Sequence, residues 1–327
     1  MNRSELEKIL GAVKSVRVCL IGDLCLDAYW TADMKKSRLS RETPHFPLPV
    51  TQERYSLGGG GNAAANFAAL GARVFPVSVI GSDWRGGILK ELLAGKGISD
   101  GGLITDPARV TPCYCKPLRS GISDVVYEDP RLDFENYSPL SGETEAKLIA
   151  LLDEAAGSCH KIAVSDQLEY GVITPKVRER ICELGTNMPV VADSRDRIAL
   201  YRGVIVKPNE IEAAAAAGCS PEEPELSAKI LSEKSGKPAL VTAGAKGAVW
   251  CEGGKTVTVP AVKAEPPVDT VGAGDTFLAA FCSAYAAGVP GETAAEFANL
   301  ACSVTVKKIG VTGTASPAEI IDSFPAK

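Results

Sequence analysis

Val268-Asp269-Thr270-Val271-Gly272-Ala273-Gly274-Asp275-Thr276-Phe277 is the stretch on which the reading of this chain turns. A small glycine-rich turn runs directly into an apolar pattern. Phe277, Leu278, Phe281, Ala284 and Tyr285 recur at helical spacing, and Gly288 and Pro290 supply the stop. The spacing predicts a helix whose N-terminus carries the amides of Gly272, Ala273 and Gly274. Unpaired N–H groups and the helix dipole at such an end favour an anion. Asp275 is out of place there, because a bound anion repels it. A phosphoryl group in transfer reconciles the two: the amides take the developing charge and the carboxylate takes the proton of the attacking hydroxyl. A plain acidic first-turn residue after a glycine loop is the competing reading.

Composition narrows the partners. The 327 residues allow one large domain or two smaller ones. There are 35 basic and 40 acidic residues, a net charge of −5 with no basic block, which argues against a nucleic-acid binder. No apolar run approaches a membrane span. Met1-Asn2-Arg3-Ser4-Glu5-Leu6 reads as a charged helix start rather than a secretion signal, so the expectation is a cytoplasmic protein with no membrane partner. The ten cysteines are scattered, several in apolar stretches (Cys19, Cys25, Cys182, Cys282, Cys302), as small buried hydrophobes in a reducing compartment. With only two histidines, His45 and His160, a Cys/His zinc site and Ser-His-Asp chemistry have little support.

Along the chain, Val16 to Asp23 reads as a buried strand ending in a turn, with Asp27 shortly beyond it. Ligands in open α/β sheets bind beyond the carboxyl ends of strands, so Asp27 is a site candidate, Asp23 a weaker one, and a turn-forming aspartate the alternative. Gly58-Gly59-Gly60-Gly61 lets backbone approach a ligand or serves as a hinge. Asn62 is placed to cap the Ala-rich helix ending at Gly71. Arg73 to Gly81 reads as a second strand, followed by a helix from about Gly86 to Gly95. From Leu140 helix and strand alternate: a helix to about Ala156, strand Lys161 to Asp166, helix Pro175 to Leu184, then strands Pro189 to Asp193 and Gly203 to Lys207. This predicts an α/β fold with a doubly wound, mainly parallel sheet. Asn209 and Glu212 have the spacing of a capping pair. Strand Ala239 to Thr242 leads into Gly244 and Gly247, which a plain hairpin with Val249 and Trp250 pairing back also explains. Asn299 lies in an otherwise apolar helix, where it needs a partner; a loop carbonyl would serve. Residues 29–57, broken by Pro44, Pro47 and Pro49, and residues 110–136, with Cys113 to Leu118 and Asp124 to Tyr127 as a hairpin, read as short strands outside the main body.

The stretch from Asp269 to Phe277 resembles the C-terminal signature of the ribokinase-like (PfkB) carbohydrate kinases. Gly58, Gly59 and Asn62 with the helix to Gly71 are similar to that family's N-terminal signature. The resemblance implies one ribokinase-like kinase domain over 1–327, with a small β-sheet lid from insertions at about 29–57 and 110–136. A lid excludes water and prevents idle ATP hydrolysis, and its free edges suggest a lid-to-lid homodimer. It further implies Asp275 as catalytic base, with Gly272, Ala273 and Gly274 as the anion hole. Asp27, Gly58, Gly59 and Asn62 would hold the sugar. Asn209 and Glu212 would organise Mg2+ and the ATP phosphates, Glu212 through metal-bound water. Thr242, Gly244, Gly247 and Asn299 would contact the nucleotide. Asp269 with the loop Gly310 to Ser316 resembles the monovalent-cation (K+) site of many members.

Within the superfamily the whole chain is similar to the kinase domain for heptose 7-phosphate in ADP-heptose synthesis. The landmarks are Gly22 to Asp27, Tyr29-Trp30, Ser37 to Ser40, Arg131 to Glu135, Ser165-Asp166, Tyr201 to Gly203 and Lys308 to Gly310. That group continues Ser-Asp with Tyr-x-Lys-Gly, whereas here Gln167-Leu168-Glu169-Tyr170-Gly171 has no lysine. Its Asp-Pro-Lys-Gly is Asp193-Ser194-Arg195-Asp196 here. Arg195 is the candidate substitute, since a guanidinium binds phosphate well. Members with a nucleotidyltransferase domain exist, and none is expected in a chain ending at Lys327. The expected function is ATP-dependent phosphorylation of a sugar or sugar phosphate. A nucleoside kinase of the same fold and a non-catalytic sugar or nucleotide sensor are the alternatives.

Overall fold

A computed structural model describes residues 1–324; the last three residues of the expected domain lie outside the described residues. The chain opens with α1 (Arg3–Val13), β1 (Arg17–Gly22), β2 (Leu24–Asp33), β3 (Val50–Gly59), α2 (Gly60–Ala69) and β4 (Arg73–Ile80). It continues with α3 (Trp84–Ala94), β5 (Leu103–Thr105), β6 (Cys113–Ser120), β7 (Tyr127–Glu128) and β8 (Leu132–Phe134). The regular α/β half comprises α4 (Gly142–Ser158), β9 (Lys161–Asp166), α5 (Pro175–Leu184), β10 (Val190–Ser194), β11 (Ile205–Val206), α6 (Glu210–Ala217), α7 (Pro224–Ser235) and β12 (Ala239–Thr242). A hairpin, β13 (Ala248–Glu252) and β14 (Lys255–Val259), precedes α8 (Ala273–Ala286), α9 (Gly291–Thr305) and α10 (Pro317–Asp322).

Nine strands form the main sheet in the order β14-β13-β12-β11-β10-β9-β1-β4-β5. It is parallel from β12 to β5, and β13 and β14 are antiparallel. Because both faces are covered, its strands read as near-continuous apolar runs, such as Val18 to Ile21 and Ile162 to Val164. One core layer joins the sheet to α1, α2, α8 and α9, and the other joins it to α4, α5 and α7. Among the described residues no helix is long and apolar enough to cross a membrane.

A second, smaller sheet has the order β3-β2-β6-β7, with β8 also on β6. Its strands differ from the expected broken segments. β2 begins at Leu24, directly after β1, and β3 runs unbroken from Val50 into the glycine cluster, because Asp33 to Pro49 takes all of the proline disruption. β6 and β7 pair antiparallel as the expected hairpin, and β6 also pairs in parallel with β2, which joins the hairpin to the earlier strands. Of Asp124 to Tyr127 only Tyr127 is in a strand, the preceding residues forming an exposed turn.

Candidate active site

The site is built at the start of α8. Gly272 caps it at φ 78°, a left-handed conformation that glycine adopts at least cost. The Ala273 N–H donates to the Thr270 carbonyl at 3.1 Å. The N–H groups of Gly272, Gly274 and Asp275 have no protein acceptor among the described residues, which leaves this helix end free to receive an anion.

Asp275 keeps partial solvent access but is densely surrounded. Burial and the neighbouring Asp193 carboxylate push its pKa up to about 7; Lys207 and an Asn62 hydrogen bond pull the other way, and Asp27 adds repulsion. Asn62 therefore lies against Asp275, and Asp27 is close enough to be felt. The helices carrying these groups are fastened together: Thr276 Oγ1 donates to Asn66 Oδ1 at 3.1 Å, and Asn66 Nδ2 donates to the Asn62 carbonyl at 3.0 Å.

Asn62 does not cap α2. Gly59, at φ 51°, is the cap residue, and Asn62 sits one turn inside. The reason is steric: a Cβ at Gly59 would come within 2.7 Å of the Asp23 carbonyl, so only a glycine makes this turn. Freed from capping, Asn62 turns to Asp275. Asp27, on β2, is 6 % exposed and packs against Gly58, where an added Cβ would lie 3.2 Å from its carboxyl carbon. Burial raises its pKa, offset by Lys116, Arg131 and Arg54 on the small sheet. Asp23 has a different occupation: its carboxylate accepts the N–H groups of Gln167, Leu168 and Val172 at 2.7–2.9 Å, which fixes the loop after β9.

A second group lies along the carboxyl ends of β11 and β12. Asn209 and Glu212 form a full capping box on α6. Asn209 bridges to Thr242, whose N–H donates to the Pro208 carbonyl. Gly244 and Gly247 turn the chain into β13, which pairs back with Val249 and Trp250 opposite Val241 and Leu240. Asn299 has loop carbonyls as partners: its amide donates to Val259 O and Pro260 O at 3.1 and 3.0 Å. Asp269 is likewise engaged by backbone, accepting from Val271 N at 3.0 Å and Gly310 N at 2.9 Å.

Two residues were not singled out by sequence reasoning. Lys207, only 2 % exposed, pairs with Asp193 at 2.9 Å. Burial lowers the pKa of its ammonium, and Asp193 outweighs that, for a net rise. The same carboxylate raises Glu212, after burial. The available signal was a lysine ending a fully apolar strand, which is costly unless paired. The loop lacking the lysine is held instead by Arg197, which pairs with the buried Asp166 and donates to the Leu168 and Glu169 carbonyls. Arg195 is exposed.

Solved structures with the same architecture place the fold. Arabidopsis thaliana ribokinase, complexed with ribose and ATP, superposes with a TM-score of 0.72 at 22% identity, covering 95% of this chain and 99% of that one. Escherichia coli phosphofructokinase-2, in complex with substrates and products, gives 0.71 at 21%, over 94% and 98%. The fold is ribokinase-like. The family model for pfkB family carbohydrate kinases matches residues 179–319. The bifunctional protein HldE of Geobacter sulfurreducens is 36% identical over 333 residues, covering 99% of this chain and 66% of that protein. HldE of Geotalea uraniireducens is 35% identical over 330 residues, covering 98% and 65%. The chain thus spans about two thirds of the length of the curated relatives it matches. It belongs to the PfkB family of carbohydrate kinases and is by class a phosphotransferase.

Proposed function

We propose that this chain transfers the γ-phosphoryl group of ATP to a hydroxyl of a sugar phosphate, with Asp275 as general base. The observation that carries the reading is a carboxylate with a pKa near 7, set in the first turn of a helix whose amides are free for an anion. A base poised there is ionised often enough to accept a proton and basic enough to hold it. Asp27, Asn62 and the backbone at Gly58 and Gly59 hold the acceptor so that its hydroxyl meets Asp275. The oxygen attacks the γ-phosphorus in line, while the amides of Gly272 and Gly274, with that of Asp275, take the charge leaving with ADP. Thr242, Gly244 and Gly247 hold the nucleotide beside Asn209, and Asn299 positions the Val259–Pro260 backbone next to it.

Among the described residues no three His, Cys, Asp or Glu side chains cluster as a metal cage. A few carboxylates that leave water on the ion suit magnesium, which dehydrates reluctantly. Glu212 and Asp193 would hold it, and the ion supplies charge neutralisation to the ATP phosphates. Asp269 fastens the loops behind the anion hole by accepting the Val271 and Gly310 N–H groups on its carboxylate, and no step is assigned to a monovalent ion.

The phosphorylated acceptor, with heptose 7-phosphate first among candidates, is supported by Arg54, Lys116 and Arg131 around Asp27 and by the exposed Arg195, whose charge is felt at Tyr114, the cross-strand partner of Asp27. The small sheet serves as a lid on a single kinase domain. Exposed Ile122, Val125, Val126 and Tyr127 beside its β7 edge support a homodimer through it. The cytoplasm supplies ATP and keeps the ten thiols reduced.

The test is ADP release from magnesium-ATP across free sugars, sugar phosphates including heptose 7-phosphate, and nucleosides. Turnover confined to phosphorylated sugars supports the reading. Turnover on nucleosides alone, or ATP binding without turnover on any acceptor, overturns it.

A further inference from the structure

We infer that Arg54 is a positioning residue that couples the seating of the small sheet to the shape of the anion hole. The inference rests on the kinase reading for its consequence, but its geometry stands alone. Arg54 belongs to β3 and pairs with Tyr29 across the ladder. Its guanidinium stacks over the Tyr29 ring, 3.8 Å from the centroid, and Lys116 Nζ meets the Tyr29 hydroxyl at 3.2 Å. From there Arg54 Nη2 reaches out of its own sheet and donates to the Gly310 carbonyl at 3.2 Å. The Gly310 N–H is held by Asp269 Oδ2 at 2.9 Å, and Asp269 Oδ1 holds the Val271 N–H at 3.0 Å. Val271 precedes Gly272, where an added Cβ would lie 3.1 Å from Thr312 Cγ2 of the Gly310 loop.

A continuous series of contacts therefore runs from the acceptor side, Tyr29 and Arg54, to the phosphate side, Asp269 and Gly272. Its two hydrogen bonds to the Gly310 loop, from Arg54 and from Asp269, join segments far apart in sequence. The planar guanidinium suits the task, because it can stack on an aromatic face and still direct an N–H outward; a lysine ammonium has no such plane. Lifting the small sheet withdraws this donor from Gly310 and leaves the loop behind the anion hole with Asp269 alone. With the sheet seated by an acceptor, the donor is delivered and the amides at 272–275 are braced for the transferring charge. Premature transfer to water is thereby disfavoured.

Arg54→Ala and Arg54→Lys test this beside the unaltered protein. The expected result for Arg54→Ala is a 10- to 100-fold fall in kcat, with the ATP dissociation constant changed less than about twofold. Arg54→Lys keeps a cation beside Asp27, so it should restore acceptor KM while leaving kcat low. Hydrogen exchange should show faster amides at 269–275 and 306–312 in Arg54→Ala, with the rest of the chain unchanged. Near-normal kcat with a raised acceptor KM overturns the inference, since Arg54 would then only attract the acceptor. Unchanged exchange in those two segments also overturns it, and does so even if no acceptor is ever turned over. That last circumstance, an inactive unaltered protein, counts against the kinase reading and leaves the exchange result to decide on Arg54.

Discussion

The main-sheet edge and the small sheet are built on opposite terms. At the edge, charges are buried and mutually assigned: Lys207 with Asp193, Asp23 with three backbone amides, Asp166 with Arg197. In the small sheet the cations are partly exposed and rest on aromatic faces, Arg54 and Lys116 on Tyr29, and Arg131 on Tyr114. Buried pairs tolerate little movement, because separating them leaves an uncompensated charge. Stacked, half-exposed cations cost little to shift. On the proposed function, the difference gives rigid chemistry to the edge and adaptable acceptor recognition to the small sheet.

The largest effect belongs to Asp275. Asp275→Asn is expected to lower kcat by about 10²–10⁴-fold with acceptor binding retained, measured by steady-state ADP release and calorimetry. In the unaltered protein kcat/KM should rise with pH through about 7 as Asp275 ionises, a limb that the variant loses. A comparable loss of turnover from removing Arg131 or Lys116 alone would erase the contrast between the two regions.

The next effect is on stability. Lys207→Met strands the buried Asp193 carboxylate, at a cost of about 3–5 kcal/mol in urea unfolding at pH 8. Adding Asp193→Asn should recover most of it. Arg131→Met, at the half-exposed pair with Asp133, should cost under about 1 kcal/mol.

Asp275→Asn also carries a stability signature of opposite sign. The folded chain holds the Asp275 proton up to about pH 7, while the unfolded chain releases it near 4. The stability associated with that group is complete below the unfolded value and is lost as pH rises through the folded one. Asparagine does not ionise. The variant should therefore match the unaltered protein near pH 4 and exceed it at pH 8, by on the order of 1–3 kcal/mol after allowing for partial exposure. Equal stability at both pH values would place Asp275 in ordinary solvent and remove the reason for its role.

These contrasts also show what the sequence made legible. The parallel α/β body was readable because its strands are apolar on both faces, and α5 and β12 fall on their expected bounds. The glycine-to-Asp275 turn was readable because its residue types have few other uses together. Lys207 was not, since its meaning depends on Asp193 in a neighbouring strand, and no local pattern joins the two. Asn62 was misplaced for a local reason: the rule for caps favours an asparagine, and a close approach to the Asp23 carbonyl gives the position to Gly59 instead. The parallel pairing of β2 with β6 was hidden because the chain between them passes through the main sheet.

The smallest effect separates two duties of one residue. Asn209 Oδ1 accepts the Ile211 and Glu212 N–H groups at 2.9 Å, so the side chain caps α6 while standing on the proposed nucleotide side. Asn209→Ala should lose about 1 kcal/mol of stability with the cap and also weaken ATP binding. Asn209→Asp keeps the cap, since a carboxylate accepts the same two amides and suits the helix dipole. It also brings a negative charge towards the phosphates. The expectation is unchanged thermal unfolding with ATP KM raised severalfold. If both variants instead lose stability and ATP affinity in step, Asn209 is a cap and nothing more, and the nucleotide side of the edge begins at Thr242.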